Sequence, residues 1–172
     1  MKSALLTLIA LGMLGAPAFA DAFTATIKKE AQACTDALLA QKYDVVADAT
    51  HARVIEAAGG KDHMIEMIKT TMAKAEEKGI KMKSTEIGTP GDVTKIGAMT
   101  VSIVPKHTVM SFPGGKVSSD SALLGISDDD GKTFKFIEIG SMPKEQIEKL
   151  FPEFVGKLTL PERKAPVVEK DQ

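Results

Sequence analysis

The densest run of side chains able to take part in chemistry is Ser127-Asp128-Asp129-Asp130-Gly131-Lys132-Thr133, followed by Phe134. Three adjacent carboxylates invite comparison with a calcium loop. An EF-hand spaces its ligands over twelve positions and closes on a bidentate glutamate. Twelve positions from Asp128 end at Ile139, with Glu138 one short, and the flanks alternate like strands. A hairpin turn accounts for the run better. Asp129 is placed to accept backbone N–H groups across the turn, Gly131 permits a positive φ, and Phe134 packs beneath. Ser127, Asp129, Gly131, Thr133 and Phe134 are therefore expected to be structural.

The other reactive residues are scattered. His51, His63 and His107 are the only imidazoles, and no two share a metal-binding motif, so no metal is expected. Ser111, Ser118, Ser119, Ser121 and Ser127 are plentiful, yet none sits in a G-x-S-x-G elbow. On strands they mark a half-polar face, and Ser119 and Ser121 would meet a ligand if they point into a pocket. Cys34 is the single cysteine, so no intrachain disulfide forms, and its helical position predicts burial. Met64, Met67, Met72, Met82, Met99 and Met110 suit irregular core volume or a soft apolar pocket. No cofactor motif is found.

These residues must be positioned by a helical half and a strand half. Phe23, Ile27, Ala31, Cys34 and Leu38 recur at helical spacing. A second helix is expected from Tyr43 to the glycines Gly59-Gly60, turning Val46, Ala49 and Val54 or Ile55 inward. A third starts at Lys61 and ends at Gly79, with Met64, Ile68, Met72 and Ala75 as its buried stripe. From Ile80 the period becomes two. Strands are expected around Ile80–Ser84, Met99–Pro105, Lys106–Phe112, Val117–Ser127 and Thr133–Ile139, joined by short turns and hence antiparallel. A short helix follows from Met142 to about Phe151, with Pro143 at its first position. Residues 161–172 are rich in proline and charge and read as a disordered tail.

The first twenty residues read as a secretory signal peptide. Lys2 supplies the positive start, Ala4 to Leu14 an apolar run, and Ala18-Phe19-Ala20 an A-x-A cleavage site before Asp21. The run is short of the roughly 20 apolar residues that a membrane span needs. A periplasmic or secreted protein follows, without an integral membrane segment once the leader is cut. The chain has 22 Lys and Arg against 23 Asp and Glu, a net charge of −1 that gives no electrostatic reason to bind nucleic acid. Residues 21–160 are one domain by length.

Helices first and a meandering sheet after them indicate an α+β domain, N-terminal helices packed on one face of a curved antiparallel sheet. Ala57-Ala58-Gly59-Gly60-Lys61, Gly79-Ile80, Val104-Pro105, Phe112-Pro113-Gly114-Gly115-Lys116 and Leu150-Phe151-Pro152 carry a resemblance. With this order of elements, the chain resembles small exported bacterial members of the nuclear transport factor 2-like superfamily. That likeness implies a cone with a pocket between helices and sheet. It also implies either a binding domain or an isomerase-type enzyme built around a buried acid and a tyrosine. The only tyrosine is Tyr43. The acidic run itself resembles the Asp box, a hairpin repeated in sialidase propellers, here in one copy with Phe134 in place of tryptophan.

The expected function is an exported, non-catalytic binding module that engages a small apolar molecule or a protein partner. Tyr43, His51, Met99, His107 and Met110 are the ligand-binding candidates, as polarisable or polar-tipped groups on elements expected to line the pocket. The alternatives are an isomerase or hydrolase with a pocket general base, and a homodimer joined through the open sheet face.

Overall fold

The computed structural model describes residues 16–140, 142–162 and 164–171. The expected leader lies outside the described residues up to position 15, and its last five positions open helix α1 (Ala16–Leu39). As the spacing predicts, Ile27 and Ala31 of α1 are fully buried, with Phe23 and Cys34 packed beside them.

The single helix expected from Tyr43 to the Gly59-Gly60 turn is two helices, α2 (Tyr43–Asp48) and α3 (Ala52–Ala57). Between them the chain passes the outer edge of the sheet. Thr50 bridges Phe136, and the Phe136 N–H donates to the Ala49 carbonyl at 2.8 Å. His51 turns the backbone to an extended ψ of 138° and caps α3, its Nδ1 accepting the Arg53 N–H at 3.2 Å. A side-chain cap of this kind replaces a missing intrahelical bond and starts a new helix.

Helix α4 (Lys61–Glu77) has no buried residue. Its expected core stripe, Met64, Ile68, Met72 and Ala75, is only half-buried, because its main neighbours are α2 and α3 rather than the sheet.

Six strands follow: β1 (Lys81–Ile87), β2 (Thr94–Ile96), β3 (Met99–Phe112), β4 (Gly115–Ser127), β5 (Lys135–Glu138) and β6 (Val167–Lys170). All pairings are antiparallel, in the order β1-β3-β4-β5, with β2 beside β3 and β6 beside β4. Three expectations change here. A register shift between Met82 and Ser84 moves the buried side of β1 onto Thr85 and Ile87. Pro105 does not divide β3. Its carbonyl accepts from Gly88, just past the end of β1, so the N–H that proline lacks would face the loop and no ladder bond is lost. The tail is not structureless either, since Val167–Ser118 to Lys170–Gly115 form strand pairs. Backbone pairing suffices for such a strand although its side chains are all exposed.

Directly paired residues of antiparallel strands share a face, so the register sorts the core into two layers. On one face Val101, Ala122, Leu124, Ile126, Ile137 and Ile139 pack against Ile147, Phe151 and Phe154. Those last three belong to helix α5 (Lys144–Leu150) and the 3-10 turn Pro152–Phe154 that follows it. On the other face Ile87, Val104, Leu123, Phe134 and Phe136 pack against α1. The architecture is an α+β fold with helices preceding an open six-stranded antiparallel sheet. It is covered on both faces rather than one, because the C-terminal segment carries an apolar face of its own.

Candidate functional site

Sheet register places the polar residues of the β1-β3-β4 ribbon in rows. One row is Glu86, His107 and Asp120, and on the opposite face lie Thr85, Thr108 and Ser119, then Ile87, Lys106 and Ser121. A groove of about 890 Å³ runs along this stretch, lined by residues of both faces. Its apolar part comes from Met82, Ile87, Ile103, Pro105, Met110, Ala122 and Ile139, and the C-terminal segment adds Pro161, Glu162, Lys164 and Pro166. Between its pairings with β5 and β6, β4 has no strand neighbour on its outer side over 119–122 among the described residues.

The charged groups in the groove are largely tied to one another. The Lys106 ammonium, whose side chain is 13% exposed, is paired with the Glu138 carboxylate. His107 Nδ1 lies 2.8 Å from Asp120 Oδ1, and Lys164 reaches the other oxygen of Asp120 at 3.6 Å. The hydrogen bond from His107, with Lys164 beside it, holds the Asp120 carboxyl below the usual range. Thr108 Oγ1 is buried and has no hydrogen-bond partner among the described residues. A buried polar atom without a partner is rare in folded proteins, and each instance calls for a physical reason.

Of the five sequence candidates, His107 and Met110 line this groove. Tyr43 lies in a separate cleft of about 440 Å³ with Asp44, Asp62 and Lys69. Burial, and then the Glu76 charge, push its phenol up. Met99 is part of the core, 4% exposed. His51 is buried elsewhere, where α3 meets the C-terminal segment. Its ring makes an edge contact with Phe151 at 4.9 Å, and its Nε2 lies 3.1 Å from Asp128 Oδ2. Because Nδ1 accepts the Arg53 N–H, the ring proton belongs on Nε2 and the imidazole is neutral. Arg53 itself forks onto both Glu153 oxygens at 2.9 Å and donates to the Leu150 carbonyl at 3.0 Å. That fork pulls the Glu153 carboxyl down to about 2.

Burial, aided by the Arg53 charge and opposed by Asp128, lowers the His51 pKa below 6.5. The unfolded chain therefore takes up a proton first as pH falls, and the folded state loses stability below about pH 6.5. Urea midpoints taken from about pH 7.5 to 5 should decline in the native protein. His51→Asn, which keeps an acceptor for the Arg53 N–H, should lose that slope.

The acidic run forms the turn between β4 and β5 and is bonded largely within itself. Asp129 accepts from Ser127 Oγ at 2.7 Å, Lys132 N at 3.1 Å, Thr133 N at 3.0 Å and Thr133 Oγ1 at 2.9 Å. These bonds, the Thr133 N–H foremost, lower its carboxyl to about 2. Ser127 Oγ also accepts the Gly131 N–H at 2.8 Å, while Phe134 is 3% exposed and donates its N–H to Glu30 Oε2 at 2.7 Å. Among the described residues no group of three His, Cys, Asp or Glu side chains is placed to hold a metal ion.

The sequence candidates omit Lys106, Thr108, Asp120 and Glu138. For Asp120 a signal was present: a two-residue turn at Pro113-Gly114 fixes the register, and counting back from it sets His107 opposite Asp120. No family model, curated protein or solved structure matches the chain. Among the described residues no helix is long and apolar enough to cross a membrane.

Proposed function

We propose that the protein is an exported, non-catalytic binding module and that the groove on the β1-β3-β4 ribbon is its ligand site. The groove itself carries this reading. At about 890 Å³ it falls within the size range of small-molecule sites, and it combines methionine, isoleucine and proline side chains with a few polar groups. Its mixed lining suits a mainly apolar molecule bearing one or two hydrogen-bonding groups. The partnerless hydroxyl of Thr108 in its wall supports the same reading, since a ligand group would complete it.

Export rests on the leader-like residues 1 to 20. Phe23, the third residue of a chain beginning at Asp21, is already packed against the core, so cleavage after Ala20 would leave the buried stripe of α1 whole. Kinship with the nuclear transport factor 2-like superfamily remains part of the proposal, supported by the shared order of helices before a meandering sheet. The charged row Glu86, His107 and Asp120 does not favour a homodimer joined through this part of the sheet.

The enzyme reading has one observation in its favour. A carboxylate 2.8 Å from Nδ1 orients His107 and leaves its Nε2 for a general-base role. Against it, both side chains are about half exposed, at 45% and 53%, where water competes for the proton.

Native mass spectrometry of the protein taken from its own compartment, with titration by the neutral apolar dye Nile red, tests the binding function. A bound small molecule is expected, together with saturable dye uptake. Pro105→Trp, which introduces a large ring at an exposed groove position, should weaken dye binding at least about tenfold, or ~1.4 kcal/mol. A clean apo spectrum with no dye response would sink the small-molecule reading. Turnover of ester or ketosteroid-type substrates that His107→Gln abolishes would instead favour the enzyme.

A further inference from the structure

The groove has one wall that is held differently from the rest. Residues 161–171 contribute Pro161, Glu162, Lys164 and Pro166 to the lining, and every described side chain in this segment is exposed. Strand β6 is fixed by backbone pairing to Gly115–Ser118 and by the Asp171 N–H on the Gly114 carbonyl at 3.0 Å. Among the described residues two ion pairs, Lys116–Glu169 at 3.1 Å and Lys164–Asp120 at 3.6 Å, add to the attachment of this segment, and all four side chains are more than half exposed. Such pairs contribute little and are screened by salt. The β3-β4 ladder that forms the opposite wall is thirteen residue pairs long and rooted in buried core. Segments with few buried contacts open at low free-energy cost, before the body they rest on.

We propose that residues 161–171 form a releasable strap whose detachment opens the groove to its ligand. The inference rests on the groove being the ligand site and adds how access to it is regulated. The body is shaped to receive the strap at Gly115. A Cβ there would lie 2.2 Å from the Glu169 carbonyl oxygen and 3.1 Å from Lys170 Cα, both strap backbone. Its other close contact, at 3.0 Å, is the far end of the Phe112 ring. The position has no positive φ, so a side chain there acts on strap docking rather than on the local backbone.

Lys164 gives the strap a chemical link to the site. It shares Asp120 with His107, so closing the strap brings an ammonium to the carboxylate that orients the groove imidazole. Raised salt should loosen the strap, and a ligand that competes for Asp120 should do the same.

Hydrogen exchange and stopped-flow Nile red binding on the full chain test the proposal together. In the native protein the amides of 167–170 should exchange at least a hundredfold faster than those of the β3-β4 ladder, and faster still at high salt. Gly115→Val should free β6 while leaving β3-β4 protection intact, and should speed dye association at least tenfold. Glu169→Pro, which places a proline in β6 and deletes the partner of Lys116, must give the same acceleration from the strap's side. Native β6 amides as protected as β3-β4, or a freed β6 with unchanged dye kinetics, would overturn the strap and leave the groove standing. Dye uptake that Pro105→Trp does not diminish counts against the groove itself and removes the strap's role with it.

Discussion

Phe151→Ala should lower the unfolding free energy by about 3–5 kcal/mol. Phe151 is fully buried and stands at the junction of α5, the 3-10 turn and α3. Its ring stacks on Phe154 at 4.9 Å with an interplanar angle of 5°, receives the edge contact of His51, and lies 5.0 Å below the Arg53 guanidinium. Truncation leaves a cavity that the surrounding strands cannot close, since Ile137 and Leu124 are fixed by the ladder and Ile139 by its N–H on the Ala122 carbonyl. It also removes the platform under Arg53, so its fork onto Glu153 loses support. For a domain whose total stability is about 5–15 kcal/mol, such a loss shifts the urea midpoint far down. Phe151→Leu, which keeps most of the volume, should recover more than half of the loss. An alanine variant within about 1 kcal/mol of the native protein would show that the C-terminal layer is not part of the cooperative core.

The second large effect is expected at Gly131. Its φ is +85°, and a Cβ built on it would lie 2.2 Å from Phe23 Cε1 and 2.7 Å from Cδ1. Gly131→Ala therefore combines a left-handed backbone, about 1–2 kcal/mol, with overpacking against α1, about 1–3 kcal/mol. The sum, roughly 2–5 kcal/mol, separates into its parts in a double-mutant cycle with Phe23→Leu. Positive coupling, with the smaller side chain relieving part of the loss, is expected. Strict additivity would mean that the backbone term alone matters and that Phe23 does not touch the hairpin.

The two positions differ in how far the sequence announces them. The Ser127 to Phe134 spacing carries its own geometry: a short acid, a glycine and an aromatic at fixed offsets within one turn. The hairpin turn is therefore legible from local chemistry. So is the α1 stripe, because helical period alone selects Ile27 and Ala31. The Phe151 cluster joins residues about a hundred positions apart, Arg53 to Glu153 and His51 to Phe151, and no local pattern encodes such a meeting. The break between α2 and α3 is hidden for the same reason. Helical propensity runs through Ala49 to Ala52, and only the bond from Phe136 and the His51 cap override it. The groove was half legible. His107 and Met110 stand on a visibly alternating strand, whereas Tyr43 and Met99 share its residue types but are carried to other layers by pairings that the types do not specify.

The passage of residues 49 to 51 past β5 has a consequence for self-association. An open sheet presents unpaired backbone at its borders, and such a border recruits strands from other molecules. On the β5 side the chain closes that border with its own backbone, through the Ala49 carbonyl and the Thr50 bridge. The opposite border, β1, carries exposed lysines at 81 and 83. One border is thus occupied and the other repels a cationic copy of itself. A second copy therefore finds little to pair with at these two stretches, and among the described residues β4 over 119–122 and the outer edge of β6 are left as borders open to another strand.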